Sequence, residues 1–174
     1  MKMIKGALIV FVGLFIVITL ISLLIPSTIG NAKAVSVHAD SLRLFSEVSD
    51  LKNWNHWHPA FKTDSTVLKL GATSDQINST ASWMQNTKEY KLVIVEKKYP
   101  YVKINLQSKG EKDMENVFTV MPVMEQGNMQ VQWQSITHLK WYPWEKFSGI
   151  FIEKMAGAGN EEALNSLKEY VESK

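Results

Sequence analysis

The chain has no cysteine. That removes disulfides, thiolate metal sites and a cysteine nucleophile together. Arginine is nearly absent, with Arg43 alone. Nucleic-acid binding needs clustered Lys and Arg to neutralise phosphates, so no nucleic-acid partner is expected. There is no G-x-S-x-G, H-E-x-x-H, P-loop or dinucleotide fingerprint, and so no cofactor and no activated nucleophile is indicated. Internal repeats and low-complexity segments are absent as well.

What charge there is sits unevenly. Of the 19 Lys+Arg, Lys2 and Lys5 precede the first apolar run and no acid does, leaving the remainder balanced against the 17 Asp+Glu. The pI near 8.7 is thus partly a property of the N-terminal tip. The 45% hydrophobic content argues against disorder.

Ala7 to Ile25 carries no charge. As a helix it is about 28 Å long at roughly 1.5 Å per residue, close to the hydrocarbon thickness of about 30 Å. Pro26 ends it. Apolar residues cover every face, which a buried soluble helix does not require. The expected division is a cytoplasmic tip (1–6), a transmembrane anchor (7–25), a polar linker (26–32) and one folded domain (33–174). Lys2 and Lys5 predict a single-pass chain with its N-terminus cytoplasmic and its domain on the periplasmic or extracytoplasmic side. A cleaved signal peptide is the alternative, since Ala32-Lys33-Ala34 has A-x-A spacing.

Beyond the linker, Ala34–His38 alternates as a strand. Asp40 is placed to cap a helix over Ser41–Ser49 that buries Leu42, Phe45 and Val48 or Ser49. Asp50–Pro59 reads as a turn with a short helix. Six strand candidates follow between turn signals: Thr66–Leu70, Ser79–Gln85, Glu89–Lys97, Tyr101–Ser108, Asn116–Pro122 and Met129–Thr137. Their close spacing predicts antiparallel hairpins. A final helix carries the stripe Phe147, Phe151, Met155, Ala163, Leu164, Leu167, Tyr170 and Val171. Gly157 and Gly159 interrupt it, marking a kink, a break capped by Asn160, or a close approach.

Three stretches carry a likeness: Val35–Asp40 with Leu42–Phe45 and Val48–Pro59, including Trp54-x-x-Trp57-x-Pro59; Val131-Gln132-Trp133; and Gly159–Lys168. In their order the chain resembles the SRPBCC superfamily, the START-like helix-grip proteins that include the polyketide cyclase/dehydrase and lipid-transport group. The apolar leader resembles a bacterial membrane-anchored subset. Ala39-Asp40 departs from the Ala-Pro often found after the first strand, and Ser79–Trp83 only partly echoes a glycine-rich segment. The resemblance implies an α+β helix-grip fold: a curved antiparallel sheet of about seven strands wrapped on a long C-terminal helix, preceded here by one transmembrane helix. It implies a cavity between the two but no single activity.

Strand alternation and the helix stripe nominate Trp83, Phe118, Trp133, Phe147, Phe151 and Met155 as cavity lining, against the alternative of a solid core. Trp54 and Trp57 share one side of a turn, either as a lip over the mouth or as plugs fixing the first helix. Trp141-Tyr142-Pro143-Trp144 packs on the last helix, gates the cavity or touches a bilayer interface. His56-x-His58 lacks a third ligand, so no metal is expected. Glu89, Glu96, Glu115 and Glu125 are the acid–base candidates, none with a partner spacing that compels a role. The leading expectation is a membrane-held binding module for a hydrophobic small molecule. The alternatives are a cyclase, dehydrase or hydrolase using the same cavity, and a structural or interaction domain of the envelope with its cavity closed.

Overall fold

The computed structural model describes residues 2–62, 66–123 and 128–173, with the side chains of residues 2–3 and 150–156 left out. It opens with α1 (Lys2–Leu23). Within it, Ile4–Leu23 is 20 residues long and apolar enough to cross a membrane. Its side chains face outward nearly all round.

β1 spans Thr28–His38, so the expected linker is largely strand. Residues 28–32 pair with Gln134–His138, because Ile29 has an apolar site to fill beside Leu139 and Gly149. α2 (Ser41–Ser49) starts where Asp40 accepts from the amides of Leu42 and Arg43, both at 3.0 Å. That satisfies two of the donors a helix start leaves open. Leu44, Phe45, Val48 and Ser49 are buried. Leu42, expected inside, is 66% exposed, since it stands on the flank of the arc that the other four define. A 3₁₀ turn at Leu51–Asn53 leads into α3 (Trp54–Trp57), and a second follows at Pro59–Phe61.

The strands are β2 (Lys69–Leu70), β3 (Thr80–Gln85), β4 (Lys88–Lys98), β5 (Tyr101–Ser108), β6 (Met114–Pro122) and β7 (Asn128–His138). The expected strand from Thr66 shrinks to two paired residues at the sheet edge. Leu68 instead turns into the core. Short edges of this kind limit pairing with other chains. All seven strands form one antiparallel sheet in the order β1-β7-β6-β5-β4-β3-β2. β3 and β4 are joined by Asn86-Thr87, both at positive φ, as a two-residue hairpin demands. The register slips between Ile94 and Glu96, a bulge that bends β4 and adds twist.

One face of this curved sheet is apolar. Ala81, Leu92, Ile94, Val102, Ile104, Phe118, Val120 and Val131 are buried on it. α4 (Pro143–Glu172) crosses that face as one unbroken helix, with Ala163, Leu164, Leu167 and Val171 inward. Gly157 and Gly159 do not break it. The result is a helix-grip α+β fold with one N-terminal apolar helix, as expected.

Asp40→Ala removes the α2 cap and is expected to cost about 1 kcal/mol. The urea midpoint of the detergent-solubilised chain measures it; an unchanged midpoint would show the cap contributes nothing.

Candidate functional site

α2 ends with carbonyls that its own amides cannot reach, and two tryptophans take them. Trp54 Nε1 donates to Val48 O at 3.2 Å, and Trp57 Nε1 donates to Glu47 O at 3.0 Å. Asn53 Nδ2 reaches Ser46 O at 3.3 Å. The W-x-x-W pair therefore fixes α3 to the end of α2. Trp57 spends its ring wholly in the core, whereas Trp54 also shows a face to the space beneath α4.

That space is a cavity of about 290 Å³ between α4 and the sheet. Trp54, Phe61, Trp83 and Trp133 supply its aromatic walls, and Leu92, Leu106 and Met114 its aliphatic floor. The floor is one transverse row, because Leu92 pairs with Leu106 and Leu106 with Met114. The rings brace one another: Phe61 meets Trp83 edge-on at 5.0 Å, and Phe118 lies 4.5 Å from Trp133. Such contacts add roughly 0.5–1.5 kcal/mol each beyond buried area.

A second transverse row is polar. Asn31, Ser135 and Asn116 are register partners on β1, β7 and β6. Asn116 Oδ1 accepts from Trp133 Nε1 at 2.9 Å and from Ser135 Oγ at 2.7 Å. Asn160 of α4 donates through Nδ2 to Ser135 Oγ at 2.8 Å and to Asn31 Oδ1 at 3.0 Å. The helix is thereby fastened to the sheet at one level. An added Cβ at Gly157 would meet Asn31 at 3.8 Å, so the helix lies close there. At Gly159, an exposed position on the rim of the cavity, it would meet nothing within 4 Å.

His58 completes the wall. Its ring lies parallel to Trp54 with centroids 5.4 Å apart and touches Phe61 at 4.9 Å. Burial among these rings pushes its pKa down from 6.5 to about 4, since an apolar surround penalises the charged form. Nδ1 accepts from the Ala60 amide at 3.3 Å, which leaves the proton of the neutral ring on Nε2. The cavity thus holds amide and imidazole hydrogen-bonding groups and, among its described lining residues, no carboxylate.

Of the residues nominated for the lining, Trp54, Trp83 and Trp133 meet at the cavity. Trp57 and Phe118 are fully buried behind it and serve as packing. Phe147 does not belong to it. It is 37% exposed near the start of α4, a position the stripe could not distinguish because apolar spacing marks a helix face but not what lies beneath it. The side chains of Phe151 and Met155 lie outside the described residues, as does Glu125. Glu96 accepts from Tyr101 Oη, Glu115 pairs with Lys103 at 3.2 Å, and Glu89 is exposed; none of the three lines the cavity. Sequence reasoning missed His58, Asn116 and Asn160 as wall residues. Asn116 was findable, because it shares strand parity with the buried Phe118 and Val120.

A wider cleft of about 650 Å³ opens at the α1 end of the domain, between Gly110–Lys112, Leu139–Lys140 and Glu145. Met114 lines both spaces, so the inner cavity borders the cleft on that side.

No family model matches the chain, and no curated protein matches it in sequence. Solved structures do match in fold. A protein from Nitrosospira multiformis superposes with a TM-score of 0.61 at 12% identity, covering 82% of this chain and 95% of its own. Truncated norcoclaurine synthase from Thalictrum flavum also reaches 0.61 at 12% identity, over 82% and 92%. CalU16 from Micromonospora echinospora reaches 0.56 at 14%, over 82% and 75%. These neighbours are helix-grip folds.

Because His58 is held neutral when folded, the unfolded chain takes up its proton first as pH falls. The imidazole's contribution is present above pH 6.5 and is lost progressively toward about pH 4. Its full loss is bounded by about 3 kcal/mol. Urea midpoints from pH 7 down to pH 5, above the carboxylate range, are expected to fall for the native chain and to flatten in His58→Asn, which keeps an acceptor for Ala60; parallel slopes would refute the assignment. Asn160→Ala, which strands the polar row, is expected to lower stability by about 1–3 kcal/mol in the same measurement.

Proposed function

We propose that the chain is a membrane-anchored binding module for a lipophilic, lipid- or polyketide-like small molecule. The single observation that carries this reading is the 290 Å³ cavity beneath α4, walled by four aromatic rings and an aliphatic row, with a few convergent amides. Apolar walls with sparse polar groups are what small-molecule sites usually present. A solid interaction domain has no need of such a space. The α1 helix supports the membrane part, with Lys2 and Lys5 ahead of it favouring a cytoplasmic N-terminus and an extracytoplasmic domain.

An enzyme of the cyclase, dehydrase or hydrolase type is the second reading. It is favoured by His58, a neutral imidazole in the wall whose Nε2 proton is available as a donor. One of the fold neighbours is a synthase by name. The lack of a carboxylate among the described lining residues ranks this reading below simple binding.

Gly159→Phe adds a ring at the exposed rim of the cavity, where no atom stands within 4 Å of the new Cβ, so that it covers the opening. Binding of an apolar fluorescent probe to the detergent-solubilised chain is expected to weaken by at least about tenfold, or roughly 1.4 kcal/mol, while far-UV circular dichroism stays the same. Unaltered probe binding, or no lipophilic molecule in native mass spectra of the wild-type chain, would remove the reading. Chemical conversion of a bound molecule would instead select the enzyme.

A further inference from the structure

Trp141 and Trp144 are 67% and 64% exposed, an unusual placement for the largest apolar side chain. They are not scattered. Trp141, Tyr142 and Trp144 form one connected group, with Tyr142 and Trp144 stacked at 4.6 Å and Trp141 and Tyr142 6.0 Å apart. Phe147, one turn further on, is also exposed. Neither sheet nor cavity uses them.

Their position relative to α1 is fixed by hydrogen bonds. Lys146 is 3% exposed, and its Nζ donates to Ile25 O at 2.8 Å and Ser27 Oγ at 2.7 Å. The Leu139 amide donates to Ser27 O at 2.7 Å. Gly149 lies so close to Leu139 and Ile29 that an added Cβ would fall 2.4 Å from a Leu139 methyl. The residues just after the apolar helix are therefore clamped between the aromatic loop and the start of α4. No free linker separates the helix from the domain.

We propose that this end of the domain, presenting Trp141, Trp144 and Phe147, is a docking face for the lipid bilayer, seated in the headgroup interface where α1 leaves the hydrocarbon. The proposal rests on the reading of α1 as a membrane span. Aromatic rings with a polar edge partition to that interface, and the clamp through Lys146 sets them beside the last turn of the span. The charges at this end are mixed rather than of one sign: Lys88 is paired with Glu111, Lys109, Lys112 and Lys140 stand among Asp113 and Glu145, and Lys146 is buried in the clamp. The attraction is therefore interfacial rather than electrostatic, and a zwitterionic bilayer suffices. In this seating the cleft between Gly110 and Glu145 opens at the membrane surface.

The test uses the full chain in phosphatidylcholine vesicles. Flotation with the vesicles comes first; a chain that does not float overturns the span and the docking face together. For the inserted chain, lipids brominated near the headgroup end of the acyl chain quench nearby indoles. α1 contains no tryptophan, and Trp54, Trp57, Trp83 and Trp133 are buried. Quenching of the wild type is expected to exceed that of W141F/W144F by at least about twofold, with both variants resisting aqueous iodide equally. Equal bromolipid quenching in the two inserted proteins, or wild-type indoles that iodide reaches and bromolipid does not, overturns the docking face and leaves the span intact.

Discussion

The spacing between α4 and the sheet governs the rest of this molecule, and it is set at one level by Asn160. Its amide grips Ser135 and Asn31, and Ser135 passes the contact to Asn116 and so to Trp133. A buried amide left unpaired costs about 1–3 kcal/mol, so each member of this row holds the others to their places. With the helix pinned there, Gly157 brings its backbone down beside Asn31, and Gly159 stands at the open rim of the cavity. Close approach and opening are thus two outcomes of one fastening.

The two ends of the domain are built differently. At one end α2, α3 and the paired tryptophans seal the core, with indole donors answering the open carbonyls of α2. At the other, β1, β7 and the start of α4 converge on the end of the apolar helix through Lys146, Leu139 and Gly149. The inner cavity lies between them, and Met114 is the residue it shares with the cleft at the second end. A neutral His58 in its wall keeps charge out of the apolar space at ordinary pH.

Much of this was legible in the chain. Alternation placed β3 to β7 to within a few residues, and Asp40 was recognisable as a cap. The fold class followed from element order together with the family resemblance. The cavity wall was only half visible. Hydrophobic periodicity marks what is inside but not what it is inside of, so Trp57, Phe118 and Phe147 read the same as Trp54, Trp83 and Trp133. Polar wall residues carried a weaker signal still, because Asn160 beside two glycines also suits a helix break.

Local chemistry alone therefore determined the elements: an apolar helix whose faces are all alike, strands with period two, a capped helix and a long final one. Their faces follow from side-chain geometry that needs no partner. Which apolar residues fill the core, which border a space and which stand outside was decided by the tertiary structure. Those assignments depend on distances between segments remote in sequence, such as Asn31 to Asn160 and Ile25 to Lys146, and only the closing of the sheet around α4 establishes them.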